Sequence, residues 1–376
     1  MMGGKWWRVV VAVALALLVS VPVAAQEEEV DWGRARELLR RSQQGGTLSP
    51  EEQAYLQRAR EERARRLRDA TPGRPTVGLT PLTELGKDGY KGEDGGLYGR
   101  GRNEPPPEHL QAALAQSALV VPRDADGKPS PQGKIVLVSI GMSNTSQEFT
   151  VFKGVADGDP EKSPHLVIVN GAQGGQDASR WAVPEGQLSP GQPDAWAVLH
   201  RRLTQAGVTP AQVQVAWVKQ AQARPDRFGD FPDHARRMEA DLVVALQRLK
   251  SRFPNLRLVY LSSRIYAGFA RTLLNPEPYA YEGAFSVRWL IQDQIAGKPD
   301  LNYDARRGPA KAPLLLWGPH LWGDGTTPRQ ADGLTWEERD FADDGTHPSP
   351  SGQQKVASSL LEFLKSHSTS RPWFLK

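Results

Sequence analysis

Ser143 closes the run Gly141-Met142-Ser143, and Asn144 follows it. A serine preceded by glycine, directly after a β-branched apolar stretch, stands at the mouth of a sheet where a helix or tight turn begins. There its hydroxyl is free to attack, and its backbone N–H can face a developing oxyanion. Serine also caps helices in such places, so the block alone leaves that reading open. Near the C-terminus comes Asp344-Gly345-Thr346-His347-Pro348-Ser349. With that spacing the aspartate can hold the imidazole in one tautomer while the other ring nitrogen faces a hydroxyl. Of the seven histidines only His347 has an acid so placed just ahead of a helical pattern. An Asx turn with a plain surface histidine is the alternative for this block. Together the two blocks predict acyl transfer, with Ser143 as nucleophile, His347 as base and Asp344 as its orienting carboxylate.

Two further segments bear on the oxyanion. The run Asn170-Gly171-Ala172-Gln173-Gly174-Gly175-Gln176-Asp177 follows a second apolar strand and carries paired glycines. Such a pair is also a common way to turn a chain after a strand. A third strand runs into Trp217-Val218-Lys219-Gln220-Ala221, where Gln220 offers an amide and Lys219 a cation.

Serine first, then aspartate and histidine together near the C-terminus, resembles the SGNH (GDSL-like) hydrolase superfamily. The resemblance covers roughly Lys134 to Leu364. Within that superfamily the first block is similar to the Gly-Gln-Ser-Asn of carbohydrate acetylesterases, with Met142 as a departure. The resemblance implies an oxyanion hole from the N–H groups of Ser143 and Gly175, with Gly174 as the fallback. The third block departs further, since the family's Gly-x-Asn-Asp asparagine is missing, which leaves Gln220 or Lys219 for that role. It also implies an ester substrate, an O-acyl carbohydrate by analogy, contacted by Asn144, Trp217 and Trp322. No metal and no organic cofactor is implied. With the third block altered, the alternative is a non-catalytic glycan-binding or envelope-associated protein on a degenerate SGNH scaffold.

The elements that must hold these residues follow from apolar patterning. Strands are expected at Lys134–Ile140, Leu166–Asn170, Val213–Val218, Leu256–Ser262 and Pro313–Trp317. Helices are expected at His109–Leu119, Asp194–Ala206, His234–Arg252, Gly283–Ile295 and Ser351–Ser366. Continuous apolar strands alternating with amphipathic helices predict an α/β fold: a three-layer flavodoxin-like sandwich on a central parallel five-stranded sheet. Ligand sites of such sheets lie beyond the carboxyl ends of the strands, where Ser143 falls. Two long insertions, Tyr266 to Lys311 and the loop holding Trp317, His320, Trp322, Asp324, Arg329 and Trp336, are expected at that end. Their aromatic rings suit stacking on sugars and loop packing equally.

Ahead of this domain (133–368) the chain divides into three parts. Residues 1–25 read as a signal peptide: Lys5 and Arg8, an apolar run from Val9 to Ser20, then Val23 and Ala25 before Gln26. The apolar run is short of the roughly 20 residues that span a bilayer, so the mature chain is expected to be secreted or periplasmic, without stable membrane insertion, an uncleaved N-terminal anchor being the alternative. Residues 26–71 read as a helical hairpin, with Ser49, Pro50 and Glu52 forming a capping box. Residues 72–132, rich in glycine and proline, read as linker and wrapping segment.

Composition bounds the chemistry. With 376 residues and 39% apolar content the chain can bury a large core. Its 47 basic and 43 acidic residues form no basic cluster of the kind that would favour nucleic acid. The absence of cysteine excludes disulfides, thiolate metal sites and a cysteine nucleophile. No Gly-x-Ser-x-Gly elbow, His-Glu-x-x-His or P-loop occurs. The expected partner is a small-molecule or glycan ester.

Overall fold

A computed structural model describes residues 30–43, 47–70, 74–184, 187–188 and 194–376. The expected signal peptide lies outside them. Among the described residues no helix is long and apolar enough to cross a membrane. The chain forms two compact units, Met1–Arg63 and Ala64–Lys376.

In the smaller unit, α1 (Trp32–Gln43) and the start of α2 (Pro50–Ala70) close around Ala35, Leu38, Leu48, Tyr55, Leu56 and Ala59. The capping box is present: the Ser49 N–H donates to Glu52 at 2.9 Å and the Glu52 N–H to the Ser49 hydroxyl at 3.2 Å. Arg41 grips the same Glu52 carboxylate with two nitrogens, at 2.9 and 3.0 Å. The Tyr55 hydroxyl accepts from the Asp31 N–H at 2.9 Å.

The larger unit contains α3 (Pro107–Ser117) and is built on a five-stranded sheet, all parallel, in the order β2-β1-β3-β4-β5. The strands are β1 (Ile135–Gly141), β2 (Leu166–Val169), β3 (Val213–Lys219), β4 (Leu258–Ser262) and β5 (Leu314–Trp317). This is the flavodoxin-like order, in which the chain reverses direction across the sheet beside β1. Strands β1, β3, β4 and β5 are buried along their whole length, as parallel strands covered on both faces must be. β4 starts later than the apolar run, because Leu256 turns back to donate its N–H to the Phe253 carbonyl.

The remaining helices are α4 (Ser143–Asp157), α5 (Ala178–Ala182), α6 (Ala195–Gln205), α7 (Asp233–Arg252), α8 (Tyr279–Ile295), α9 (Pro350–Ser366) and α10 (Arg371–Phe374). They fall into two sets: α4 packs on α9 and α9 on α10, while α7 packs on α5 and α8, and α5 on α6. Local chemistry starts several of them. The Asp194 carboxylate caps α6 by accepting from the N–H groups of Trp196 and Ala197, and proline opens α9.

Residues 74–132 supply Leu82, Leu85, Leu97, Tyr98, Ala113 and Val120 to the same core as the sheet. Trp317 at the end of β5 donates its indole N–H to the Leu97 carbonyl at 2.7 Å. Glu282 on α8 accepts from the Tyr90 hydroxyl and the Lys91 ammonium at 2.6 and 2.8 Å. The segment is therefore a bonded layer of this unit and not a free linker.

Candidate active site

β1 delivers Ser143 as the first residue of α4, and Gly141 makes the sharp entry feasible. A Cβ at Gly141 would lie 2.4 Å from the Thr145 side chain and 2.5 Å from the Lys219 carbonyl. The residue preceding α4, Met142, offers no side-chain cap. The N–H groups of Ser143 and Asn144 accordingly find no acceptor among the described residues. Unbonded N–H groups and the positive end of the helix dipole both face the space beside the serine hydroxyl.

His347 reaches that hydroxyl from 204 residues further along the chain, with Nε2 at 2.8 Å from Ser143 Oγ. Its Nδ1 lies 2.6 Å from Asp344 Oδ2. A carboxylate only accepts, so Nδ1 carries the ring proton and Nε2 is left to accept from serine. The other carboxylate oxygen of Asp344 accepts the N–H groups of Thr346 and His347, each at 3.0 Å. Burial alone would raise the Asp344 carboxyl. The imidazole bond and these two amides outweigh it and bring the carboxyl down to about 2. The histidine and aspartate side chains are a quarter exposed, so the pair is open to solvent on one side.

The glycine block lies against Ser143. The Ser139 hydroxyl donates to Asn170 at 2.8 Å, Arg202 donates to the carbonyls of Asn170 and Ala172 at 2.7 and 2.9 Å, and the Gln173 N–H donates to the Gly141 carbonyl at 3.0 Å. This bracing sets Gly174 next to Ser143: a Cβ at Gly174 would sit 3.9 Å from the serine Cβ. Gly175, the position chosen by spacing, has φ +74° and opens onto empty space. Neither glycine N–H has a partner among the described residues.

The third block is where the structure corrects the sequence reading. Lys219 is 2% exposed and donates to both oxygens of Glu148 on α4, at 2.8 and 2.7 Å, so its cation is not available as an oxyanion donor. Trp217, two residues earlier and hence on the same face of β3, stacks on Phe149 and donates to the Ser262 hydroxyl at 3.0 Å. It is core and not a substrate contact. Trp322 is likewise fully buried, its indole N–H donating to Glu277 at 2.7 Å. Gln220 lies past the strand end, 2% exposed, with its amide nitrogen 3.5 Å from the Gln176 carbonyl and its amide oxygen unpartnered among the described residues. Asn144 is 3% exposed and turned inward, donating to the Thr346 carbonyl at 2.9 Å in place of a substrate.

Sequence reasoning missed Glu148, Thr346 and Arg264. Glu148 is the first acid along α4, on the helix face that also buries Phe149 and Phe152, and that oddity was the available signal. Burial pushes the Glu148 carboxyl up and the Lys219 ammonium down, each opposed by the other's charge. Arg264 follows β4 and donates to the Thr346 carbonyl at 3.2 Å. Nothing in its local pattern marked it.

A cleft of about 450 Å³ adjoins this loop, lined by Arg74, Arg271, Thr272, Leu273 and Glu277 among others, but by neither Ser143 nor His347. It meets the relay through the Arg271 N–H, which donates to the Asp344 carbonyl at 3.0 Å. Among the described residues no group of three or more histidines and acids is placed to hold a metal ion.

No protein-family model matches the chain, and no curated protein does. Among solved structures it is similar to a Bacillus subtilis protein, at 11% identity and a TM-score of 0.34, over 63% of this chain and 58% of that one. It is also similar to a gut microbial diltiazem-metabolizing enzyme, at 14% identity and a TM-score of 0.30, over 64% of this chain and 48% of that one. The chain thus spans about half the length of the solved structures it matches.

Proposed function

We propose that this chain is an exported serine esterase of the SGNH type, acting on an O-acyl group of a carbohydrate. One observation carries the reading: the unbroken relay from Ser143 Oγ to His347 Nε2 at 2.8 Å and from His347 Nδ1 to Asp344 at 2.6 Å. Ser143 Oγ bonds to the ester carbonyl carbon as His347 takes its proton. The tetrahedral intermediate collapses, and the same proton passes to the departing alkoxide, leaving an acyl-serine. Water, deprotonated by His347, then releases the acid and restores the serine. Asp344 stays ionised throughout and steadies the imidazolium. We assign stabilisation of the developing oxyanion to the N–H groups of Ser143, Gly174 and Gly175, with the Gln220 amide as the remaining candidate from the third block.

The carbohydrate substrate is supported by the Gly141-to-Asn144 block, which is similar to that of carbohydrate acetylesterases. Export is supported by the basic, apolar and small-residue sequence of Met1 to Ala25. The chemistry is tested with a fluorophosphonate probe and with p-nitrophenyl acetate. Wild type labels and hydrolyses, and Ser143→Ala does neither; equal labelling of the two ends the proposal.

The engagement of Lys219 by Glu148 favours one second reading, a glycan-binding protein whose oxyanion site has decayed. On that reading wild type binds acetylated polysaccharide without releasing acetate.

A further inference from the structure

The carbonyl of Thr346, immediately before His347, is gripped by two buried donors. Asn144 Nδ2, from the residue immediately after Ser143, lies at 2.9 Å, and Arg264 Nη2 at 3.2 Å. One oxygen thus joins the neighbour of the nucleophile to the neighbour of the base. Arg264 is 4% exposed and anchors its other terminal nitrogen on the Leu274 carbonyl at 3.3 Å, so the fork spans the loop after β4 and the relay loop.

We infer that Asn144 and Arg264 are positioning residues that act through the Thr346 carbonyl to hold the His347 ring against Ser143.

The chemistry of the two side chains argues for this role. The amide oxygen of Asn144 is buried with no partner among the described residues, a cost that an apolar residue would remove. Its single side-chain bond there is the one to Thr346. Arg264 is a cation taken out of water, a cost that the charges of Glu148, Glu277 and Asp344 offset only in part. The planar guanidinium holds two carbonyls at a fixed separation, as a flexible ammonium does not. The relay needs such a brace because only two residues separate Asp344 from His347, and a ring displaced by about 1 Å loses about a hundredfold in rate.

The inference rests on the esterase reading for its kinetic test alone. Full-length Asn144→Ala, Arg264→Lys and the double variant are compared with wild type on p-nitrophenyl acetate, with thermal melts alongside. Each single variant is expected to lower kcat by roughly 10- to 100-fold with KM within about twofold. The double variant is expected to be no slower than the slower single one, because both act on one oxygen. The second readout needs no activity: the proton shared by His347 and Asp344, followed by proton NMR, is present in wild type and broadened or lost in the variants. Unchanged kcat, losses that multiply, or an unaltered proton signal in Asn144→Ala each overturn the inference. Should Arg264→Lys fail to fold, Asn144→Ala decides it by the same two readouts. A wild type that neither labels nor hydrolyses overturns the esterase reading instead, and the proton signal still decides the grip.

Discussion

The carbonyl oxygen of Phe269 occupies the place a side chain at Gly345 would need: a Cβ built there falls 1.8 Å from it, and Gly345 has φ +62°. Both the backbone conformation and the contact demand glycine in the middle of the relay loop. Gly345→Ala should cost at least about 1–3 kcal/mol in urea unfolding. It should also lower kcat by about a hundredfold, because the loop must withdraw from Phe269 and carry His347 with it.

Asp344→Asn tests the tautomer directly. An amide in that place can present N–H to the ring and leave the proton on Nε2, where it blocks transfer from serine. The expected loss in kcat is about 10⁴-fold, with KM little changed and the melting temperature within a few degrees. Steady-state kinetics on p-nitrophenyl acetate measure it.

Lys219 and Glu148 form a pair whose halves are unequal to live with alone. Lys219→Met strands a carboxylate at 0% exposure and should cost about 3–5 kcal/mol. Lys219→Met combined with Glu148→Leu should recover most of that loss. Denaturant unfolding of the single and double variants checks the difference.

His320 links stability to acid. Both ring nitrogens lack partners among the described residues, and burial, helped by the Arg329 charge, holds the imidazole down to about 3 against an ordinary 6.5. Between those values the unfolded chain takes up a proton that the folded chain refuses, so stability falls as pH drops through that window. Asp344, depressed to about 2, adds a loss in the same direction below its ordinary 3.8. His320→Leu should reduce the acid slope by up to about 1.4 kcal/mol per pH unit, read from urea midpoints between pH 7 and pH 4.

The fold was legible because the strands are predominantly apolar runs and α6, α7 and α9 each bury one periodic stripe, α6 behind an Asp194 cap. β3 and β5 fell within a residue or so of the expected ends. Ser143, Asp344 and His347 were legible as candidates because Ser143 follows the end of β1 and the Asp344–His347 loop precedes the start of α9. The third block was not. Which way Trp217 and Lys219 point depends on α4 covering that face of β3, a nonlocal fact announced only by Glu148. Trp322 was misread for a similar reason. Its loop is covered by residues 74–78: Asp324 accepts the N–H groups of Val77 and Gly78 at 2.7 and 3.0 Å, and a Cβ on Gly325 would fall 1.6 Å from the Pro75 carbonyl. Glycine- and proline-rich chain gives no periodic sign of what it will lie upon.

The separation of Ser143 and His347 by 204 positions has a consequence in time. At roughly 5–20 residues per second, a ribosome adds His347 about 10–40 seconds after Ser143. Throughout that interval Ser143 is an ordinary alcohol at the head of a helix whose packing partner, α9, does not yet exist. On the proposed mechanism reactivity therefore arrives with the final stretch of translation, and a chain cut short anywhere before His347 is expected to leave the ribosome without hydrolytic activity.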